Sequence, residues 1–224
     1  MTGFIEAADV SLTYGRTTAL QGCSLSIDQG ERVAMMGPSG SGKSSLLHCL
    51  AGVLTPTSGS VALDGHRLET LSDAERSRLR LFRMGVVFQF GDLVPELTLL
   101  ENVMLPAQLL RMGTRDARSR AMELLDRLGV AAVADHRAGG VAGGQAQRAA
   151  VARALVHRPQ VVLADEPTGS LDTVNAEIVL DALVDLSVEC EAALLVVTHD
   201  HQVASHLDRM VTMRDGRVMV TSGV

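Results

Sequence analysis

Short runs of consecutive apolar residues alternate with segments of helical periodicity over much of the chain. Apolar runs bounded by glycine, charged or polar positions are typical of strands buried on both faces of a parallel sheet. They predict strands at residues 33–36, 60–63, 85–88, 161–164 and 193–197. The periodic segments predict helices at residues 44–53, 72–83 and 174–186. This alternation indicates an α/β protein built on a parallel sheet.

The middle of the chain departs from the alternation. Residues 98–128 are helical in pattern throughout, with a break near Gly113, and the pattern resumes at residues 145–158 after a glycine-rich link. We therefore predict a helical subdomain inserted between strands of the sheet. Residues 210–220 predict a hairpin that turns at an Asp-Gly pair.

Composition and charge exclude several classes of function. The 224 residues carry 20 basic and 26 acidic side chains, and the net charge of −6 excludes binding of nucleic acid or anionic lipid by bulk positive charge. Apolar runs such as residues 192–197 are far shorter than the roughly 20 residues of a membrane span. Residues 1–10 lack the basic start and apolar centre of a signal peptide, so we expect a cytoplasmic protein.

Cysteine and lysine usage narrows the candidate chemistry. Cys23, Cys49 and Cys190 have the spacing of neither a disulfide framework nor a metal-ligand set, so we interpret them as small buried residues. Lys43 is the only lysine in the sequence. A genome poor in lysine codons explains the excess of arginine, but it leaves the position of this one exception unexplained.

Lys43 lies in a glycine-rich loop between a predicted strand and a predicted helix. Residues 37–44 read GPSGSGKS and match G-x-x-x-x-G-K-[ST], the phosphate-binding loop of nucleoside triphosphatases. Its glycines bring backbone amides close to phosphate oxygens, Lys43 offers a charge to the outer phosphates, and Ser44 offers a hydroxyl to Mg²⁺. A flexible loop without a ligand is the alternative, which the strand-loop-helix context disfavours. The predicted nucleotide contacts are Gly37, Pro38, Ser39, Gly40, Ser41, Gly42, Lys43, Ser44 and Ser45.

Another predicted strand ends in two acids. Residues 161–166 read VVLADE, which places Asp165 and Glu166 at the carboxyl end of a strand, where α/β proteins bind ligands. Asp165 is predicted to hold Mg²⁺, and Glu166 to orient or deprotonate the water that attacks the γ-phosphate. Acids that cap a strand are common, so this assignment depends on the phosphate loop.

ATP is the favoured nucleotide. Guanine-specific P-loop GTPases use an N-K-x-D element, and the sequence has no lysine outside the phosphate loop to build one. The HRD and DFG elements of protein kinases are absent as well.

Four motifs follow the phosphate loop in a specific order. They are VVFQF with Gln89, VAGGQAQR at residues 141–148, ADEPTGSLD at 164–172 and THD at 198–200. With them, the sequence resembles the ATP-binding subunits of ABC transporters over essentially its whole length. The resemblance implies a P-loop α/β fold of ABC type, in which a RecA-like parallel sheet core carries an antiparallel β subdomain and an inserted α-helical subdomain. It also implies a single domain over residues 1–224, with the catalytic core at about 1–90 and 159–224 and the helical subdomain at about 91–158.

The resemblance implies roles for three more side chains. Tyr14, the only tyrosine, would stack on adenine, and Gln89 would contact Mg²⁺ or the attacking water. His199 would hydrogen-bond the γ-phosphate. The alternatives are a half-buried strand tyrosine, a surface glutamine and a histidine that follows a strand as a cap. His201 and His206 lie near His199 in sequence, but no cysteine or well-spaced acid completes a cage, so Mg²⁺ is the one metal implied.

A second glycine-rich helix start points to a partner. Gly143, Gly144 and Gln145 open a helix, and such a helix end is an anion-binding device. The resemblance implies that two subunits pair head to tail, so that this helix end closes over the ATP held by the other subunit. Asp172 would line that interface. The expected partners are a second copy of the chain and an integral membrane permease-like subunit, without nucleic acid.

The sequence departs from the family at one position. Most members have serine before the paired glycines, whereas this chain has Ala142. The missing hydroxyl removes one donor to the partner's γ-phosphate, and a hydrogen bond to a charged group contributes about 1.5 to 3 kcal/mol. We therefore predict slow but real hydrolysis. A binding-only regulator is the alternative, which the presence of Lys43, Glu166 and His199 disfavours.

Residues 71–89 and 93–106 resemble one branch of the family, the ATPases of lipoprotein release, macrolide export and the cell-division hydrolase switch. In that branch a membrane subunit converts ATP-driven closure into motion, which implies a peripheral position on the inner face of the cell membrane. The apolar side chains beside Gln89 would form a groove for a helix of that subunit, or else pack within the helical subdomain; they are Phe88, Phe90, Leu93 and Val94. A soluble ABC ATPase that acts on DNA or ribosomes is the second hypothesis, which the short chain disfavours.

Overall fold

The computed structural model describes residues 3–89, 92–169 and 171–219. The strands are β1 (Ile5–Tyr14), β2 (Thr17–Ile27), β3 (Arg32–Met36), β4 (Ser58–Leu63), β5 (His66–Arg67), β6 (Met84–Val87), β7 (Val161–Asp165), β8 (Ala193–Val197), β9 (Arg209–Arg214) and β10 (Arg217–Met219). The helices are α1 (Lys43–Leu50), α2 (Asp73–Arg83), α3 (Leu99–Leu109), α4 (Thr114–Arg127), α5 (Gly143–Leu155), α6 (Thr173–Glu189) and α7 (His201–Ala204).

A six-stranded sheet with the order β10-β9-β3-β8-β7-β6 forms the centre of the fold. Strands β9, β3, β8, β7 and β6 pair in parallel, and β10 closes the edge as an antiparallel hairpin with β9. The predicted parallel sheet and the predicted hairpin are both confirmed within the described residues; residue 220 of the hairpin lies outside them. The order places β3, β8 and β7 side by side, so their carboxyl ends share one edge.

Both faces of this sheet are covered, which explains why its strands are continuous apolar runs. Along β7, Val161 and Leu163 face one hydrophobic core, whereas Val162 and Ala164 face the other. The first core is shared with α1 and the strands β1, β2 and β4, and the second with α3 to α6. Because a strand alternates its side chains, burial on both faces requires an apolar residue at every position.

A second, antiparallel sheet has the order β2-β1-β4-β5. Its two long strands cover residues for which the sequence pattern gives no strand bounds. The reason is that the pairing of β1 with β2 shifts register three times, between Ala7 and Val10, Val10 and Leu12, and Leu12 and Thr13. Each bulge interrupts the alternation of apolar and polar residues on which strand prediction depends.

Helices α3, α4 and α5 pack against one another between β6 and β7 of the chain. Thr98 and Glu101 form a reciprocal capping box at the start of α3. The predicted break near Gly113 is confirmed, because Gly113 is the cap residue that precedes α4. Within the described residues, no helix is both long and apolar enough to cross a bilayer.

Two helix predictions were wrong at their ends. Helix α1 ends at Leu50 rather than at residue 53, because the chain turns at Gly52, which has a φ of 62°. Helix α5 spans Gly143–Leu155 rather than residues 145–158, since its cap is Ala142 and Arg158 has left-handed backbone. The remaining strand and helix predictions agree with the structure to within a few residues at each end.

Candidate active site

The phosphate-binding loop connects the end of β3 to the start of α1. Gly37 has a φ of 150° and Gly42 a φ of 102°, and a Cβ on them would lie 2.1 Å from the carbonyl oxygen of Met213 and 2.6 Å from that of Ala19. No real side chain fits at those distances, so both glycines are required by sterics. The loop is therefore pressed against β9 and β2, with Pro38, Ser39 and Gly40 exposed on its outer side.

Lys43 occupies the first position of α1 and is almost completely buried. Its Nζ donates to the carbonyl oxygens of Gly37 at 2.7 Å and of Pro38 at 2.9 Å. The ammonium group is thus folded back onto the carbonyl oxygens of its own loop. Ser44 and Ser45, both half-buried, complete the first turn, and Ser41 is buried in the loop beneath them.

Asp165 and Glu166 lie at the carboxyl end of β7, as predicted. Asp165 is 3 % exposed, and its Oδ1 has no hydrogen-bond partner within the described residues. Glu166 has a φ of 47°, a left-handed conformation that costs free energy in a non-glycine residue. Its amide donates to the carbonyl oxygen of Val197 at 2.9 Å, which fixes the turn against β8.

His199 follows β8 and faces Glu166. Its Nδ1 donates to the Glu166 carboxylate, 3.0 Å from each oxygen. This hydrogen bond, together with the charge of Glu166, raises the pKa of His199 above its ordinary value. The turn behind the histidine is held by Thr198, whose Oγ1 accepts from the amide of Asp200 at 3.0 Å.

A cavity of about 380 Å³ brings these segments together. Its lining residues come from the phosphate loop, from the end of β6, from α5 and from the turns after β7 and β8. They are Ser39, Gln89, Gly143, Gln147, Glu166, Gly169 and His199. Gln89 is exposed, and the carbonyl oxygen of its neighbour Phe88 accepts from Nε2 of Gln147 at 3.5 Å.

Gln147 is a lining residue that the sequence analysis did not single out. It is buried and lies one helical turn after Gly143, on the same face of α5. The spacing within VAGGQAQR contains that signal, because residues four apart on a helix share a face.

The glycine-rich start of α5 is capped unusually. Ala142 is the cap residue, and its amide donates to Oε1 of Gln145 at 3.1 Å. This is one half of a capping box; the other half requires a side-chain oxygen that alanine lacks. The side chain of Ala142 therefore accepts no hydrogen bond from the first amides of α5, although its carbonyl oxygen accepts from the amide of Gln145 at 2.9 Å.

Asp172 is the cap residue of α6 and is exposed. Its Oδ1 accepts from the amide of Asn175 at 2.9 Å. Hydrogen bonds from the backbone and side chain of Asn175 lower the pKa of the Asp172 carboxyl, so the group is ionised at neutral pH.

Tyr14 is the last residue of β1 and is 49 % exposed, which is compatible both with a stacking role and with a half-buried strand tyrosine. The four residues expected to form a groove beside Gln89 have different surroundings in the structure. Phe88 packs edge-on against His48 with ring centres 5.6 Å apart, and Leu93 packs on the core of the helical segment. Val94 is exposed, and Phe90 lies outside the described residues.

A family model described as ABC transporter matches residues 20–169. The chain belongs to the ABC transporter family. Curated relatives carry the name lipoprotein-releasing system ATP-binding protein LolD. The protein of that name from Legionella pneumophila (strain Paris) is 43 % identical over 201 residues, covering 90 % of this chain and 88 % of the relative. The one from Xanthomonas axonopodis pv. citri is 43 % identical and covers 97 % of this chain and 91 % of the relative.

Solved structures agree with the sequence relatives. The dimeric ABC transporter cassette MJ0796 superposes with a TM-score of 0.92 at 38 % identity, over 98 % of both chains. A second structure of that cassette, a post-hydrolysis dimer bound to ADP and Pi, gives the same TM-score at 37 % identity. The predicted ABC fold, the predicted ATPase activity and the resemblance to the lipoprotein-release branch are thereby confirmed. This chain is an ATP-binding, ATP-hydrolysing ABC subunit.

Proposed function

We propose that this ABC ATPase binds ATP with Mg²⁺ at the carboxyl edge of its parallel sheet and hydrolyses it there. The observation that carries the proposal is the convergence of three chemically different groups on adjacent strands. The phosphate loop follows β3, the His199 turn follows β8, and the acidic pair ends β7. Glu166 and His199 thus face one cavity together with Ser39 of the phosphate loop.

The donor set fits Mg²⁺. Oδ1 of Asp165 is buried without a partner among the described residues, and a bound cation would supply one. Ser44 supplies a hydroxyl from the first turn of α1, and Gln89 supplies an amide oxygen from the cavity wall. When bound, Mg²⁺ neutralises part of the charge of the phosphates.

Each side chain around the phosphates has a distinct task. The backbone amides of residues 37–45 hold the phosphate oxygens, and Lys43 places its charge on the outer phosphates. Glu166 orients the attacking water and accepts its proton. His199 donates a hydrogen bond to the γ-phosphate, and Tyr14 presents an exposed ring to the adenine.

The site is completed by a second copy of the chain. The start of α5 comprises Ala142, Gly143, Gly144 and Gln145, and the side chain of Ala142 cannot cap the amides of Gly143 and Gly144, which suits a phosphate bound to another subunit. Asp172 lies at the same surface. The proposal is supported by the dimeric cassette structures that superpose on this chain.

A membrane subunit converts the closure of this dimer into motion. The curated relatives are named as parts of a lipoprotein-releasing system, and we propose the same class of role here: a peripheral ATPase on the inner face of the cell membrane, bound to an integral permease-like partner. Co-purification of the chain from membranes with a multispanning protein tests this part of the proposal.

Steady-state ATPase activity of the purified chain tests the site itself. Glu166→Gln and Lys43→Ala are each expected to abolish turnover, whereas Glu189→Gln, an exposed position at the far end of α6, leaves it unchanged. With ATP, Glu166→Gln is expected to form a stable dimer in sedimentation velocity. Turnover that survives Glu166→Gln would contradict the assignment of the base.

A further inference from the structure

The starts of α5 and α6 are joined by a chain of hydrogen bonds through two side chains. Nη1 of Arg148 donates to Oδ1 of Asn175 at 2.6 Å, and Nδ2 of Asn175 donates to Oδ2 of Asp172 at 2.6 Å. At the other end, Nε of Arg148 donates to the carbonyl oxygen of Gly144 at 3.3 Å. This series of hydrogen bonds therefore connects the backbone of the glycine-rich start of α5 to the Asp172 carboxylate.

An apolar contact joins the same two segments. A Cβ on Gly144 would lie 3.0 Å from Cδ2 of Leu171, so the Leu171 side chain packs close to the backbone of Gly144. Arg148 and Asn175 are both half-buried, which shields their hydrogen bond from water. Hydrogen bonds that involve an ionised group are shorter and stronger than neutral ones, and the 2.6 Å contact fits that class.

The residue types suit a relay. The side-chain amide of Asn175 accepts from a guanidinium with its oxygen and donates to a carboxylate with its nitrogen, which an ionised aspartate in its place could not do. Capping of α6 explains the hydrogen bond from the backbone amide of Asn175 to Asp172. It does not explain the hydrogen bond that Arg148 donates to Asn175, because Arg148 belongs to a different helix, α5. The planar guanidinium of arginine also fixes the directions of its hydrogen bonds, whereas the ammonium group of a lysine acts as a point charge.

We propose that Arg148 is a positioning residue that, through Asn175, holds the start of α5 and the Asp172 segment as one rigid surface for the nucleotide of the second subunit. The inference rests on the proposed function, because it assigns both segments to the dimer interface. Arg148 acts through Asn175 and Asp172 rather than on the nucleotide. If the relay is cut, each segment must be ordered separately when the dimer closes, which costs conformational entropy.

The test uses the full chain in a Glu166→Gln background, where ATP-bound dimers accumulate. Arg148→Ala, Arg148→Lys, Asn175→Ala and the double variant Arg148→Ala/Asn175→Ala are compared by sedimentation with ATP. We expect the dimer dissociation constant to rise about tenfold in each alanine variant, the effect of one charged hydrogen bond. Arg148→Lys is expected to recover part of the loss. The double variant is expected to be no weaker than the weaker single, because both changes cut one chain.

Two controls separate positioning from general destabilisation. Arg127→Ala removes another arginine that bridges to α6, since Nη1 of Arg127 donates to Oε1 of Glu189 at 2.8 Å, but at the opposite end of that helix. It is expected to leave the dimer dissociation constant unchanged. Binding of a fluorescent ATP analogue to monomer, measured below the dimer dissociation constant, is expected to change by less than about twofold in every variant.

Three outcomes overturn the inference. If the Arg148 and Asn175 variants dimerise like the parent, the contacts are structural only. If their effects add in the double variant, the two residues do not form one relay. If the Glu166→Gln parent does not dimerise with ATP at all, the proposed function fails and this inference fails with it. The parent is measured without further changes, so this failure is distinguished from a failure of the relay alone.

Discussion

Nδ1 of His199 lies 3.0 Å from both carboxylate oxygens of Glu166, although the two residues are 33 apart in the chain. The contact exists because β7 and β8 are neighbours in the sheet and each residue follows the end of its strand. The proposed base and the proposed phosphate sensor are therefore hydrogen-bonded to each other. Under the proposed function, a bound γ-phosphate would offer His199 a competing anion, so a single rearrangement of His199 would both free Glu166 for water and engage the phosphate.

The imidazole of His199 is expected to titrate above its ordinary value of about 6.5, because the hydrogen bond from Nδ1 to Glu166 favours the protonated ring. NMR titration of the histidine side chains measures this directly. In Glu166→Gln the His199 pKa is expected to fall back toward the ordinary value, whereas in the control variant Glu189→Gln it stays raised. A His199 pKa that is the same in both variants would show that Glu166 is not its partner.

The same pair gives a pH dependence of stability with a defined sign. A histidine whose folded pKa is raised stabilises the fold fully below the unfolded pKa of about 6.5, and the contribution is lost as the pH rises through the folded pKa. The His199 side chain is 73 % exposed, so solvent screens the pair and the effect is small. Urea unfolding across this window is expected to show a stability loss in the native chain that Glu166→Gln lacks.

Sequence alone predicted the strands that are buried on both faces, such as β8, since each has an apolar residue at every position. It did not predict the bounds of β1 and β2, where bulges break the alternation. Both members of the pair between Glu166 and His199 were predicted as site residues, but their contact was not, because it depends on the order of strands in the sheet. The hydrogen bond between Arg148 and Asn175 was not predicted for a similar reason, because it joins two helices whose relative placement depends on tertiary packing.

Asp165→Asn is expected to separate metal binding from folding. The native carboxylate is buried with one oxygen unpartnered among the described residues, so its replacement by a neutral amide removes an uncompensated charge. The nucleotide-free variant is therefore expected to unfold at a free energy within about 1 kcal/mol of the native value or above it. The increase in melting temperature that Mg²⁺ adds to ATP is expected to vanish. Asp181→Asn, an exposed position on α6, serves as the control and is expected to keep the Mg²⁺ effect.

Tyr14 is expected to contribute to nucleotide affinity and little to stability. Its ring is 49 % exposed at the end of β1, so its removal creates no cavity in the core. Stacking of a base on an aromatic side chain is worth about 1 to 3 kcal/mol, which corresponds to a rise of roughly 5- to 150-fold in the ATP dissociation constant for Tyr14→Ala. Tyr14→Phe keeps the ring and is expected to bind ATP like the native chain. Equal binding by all three proteins would exclude the stacking role.

Ala142→Ser is expected to change two properties at once, because the position is both the cap of α5 and the place where most family members have serine. A serine cap accepts a hydrogen bond from the first turn of the helix and stabilises it by about 0.5 to 2 kcal/mol relative to alanine. The melting temperature of the isolated chain is therefore expected to rise. The same hydroxyl supplies the missing donor to the partner's γ-phosphate, so turnover and ATP-dependent dimerisation are expected to rise as well.

The two effects use different parts of the same hydroxyl, so measuring both of them separates the two roles. As a cap the oxygen accepts from an amide of its own helix, and as a donor its hydrogen points at the phosphate, and a serine hydroxyl can do both. Ala146→Ser, the same chemical change one turn into α5, is the control and is expected to raise neither quantity. A higher melting temperature without faster hydrolysis or tighter dimers would mean that the helix start is a cap alone, and that the backbone amides of Gly143 and Gly144 already supply all that the second nucleotide site requires.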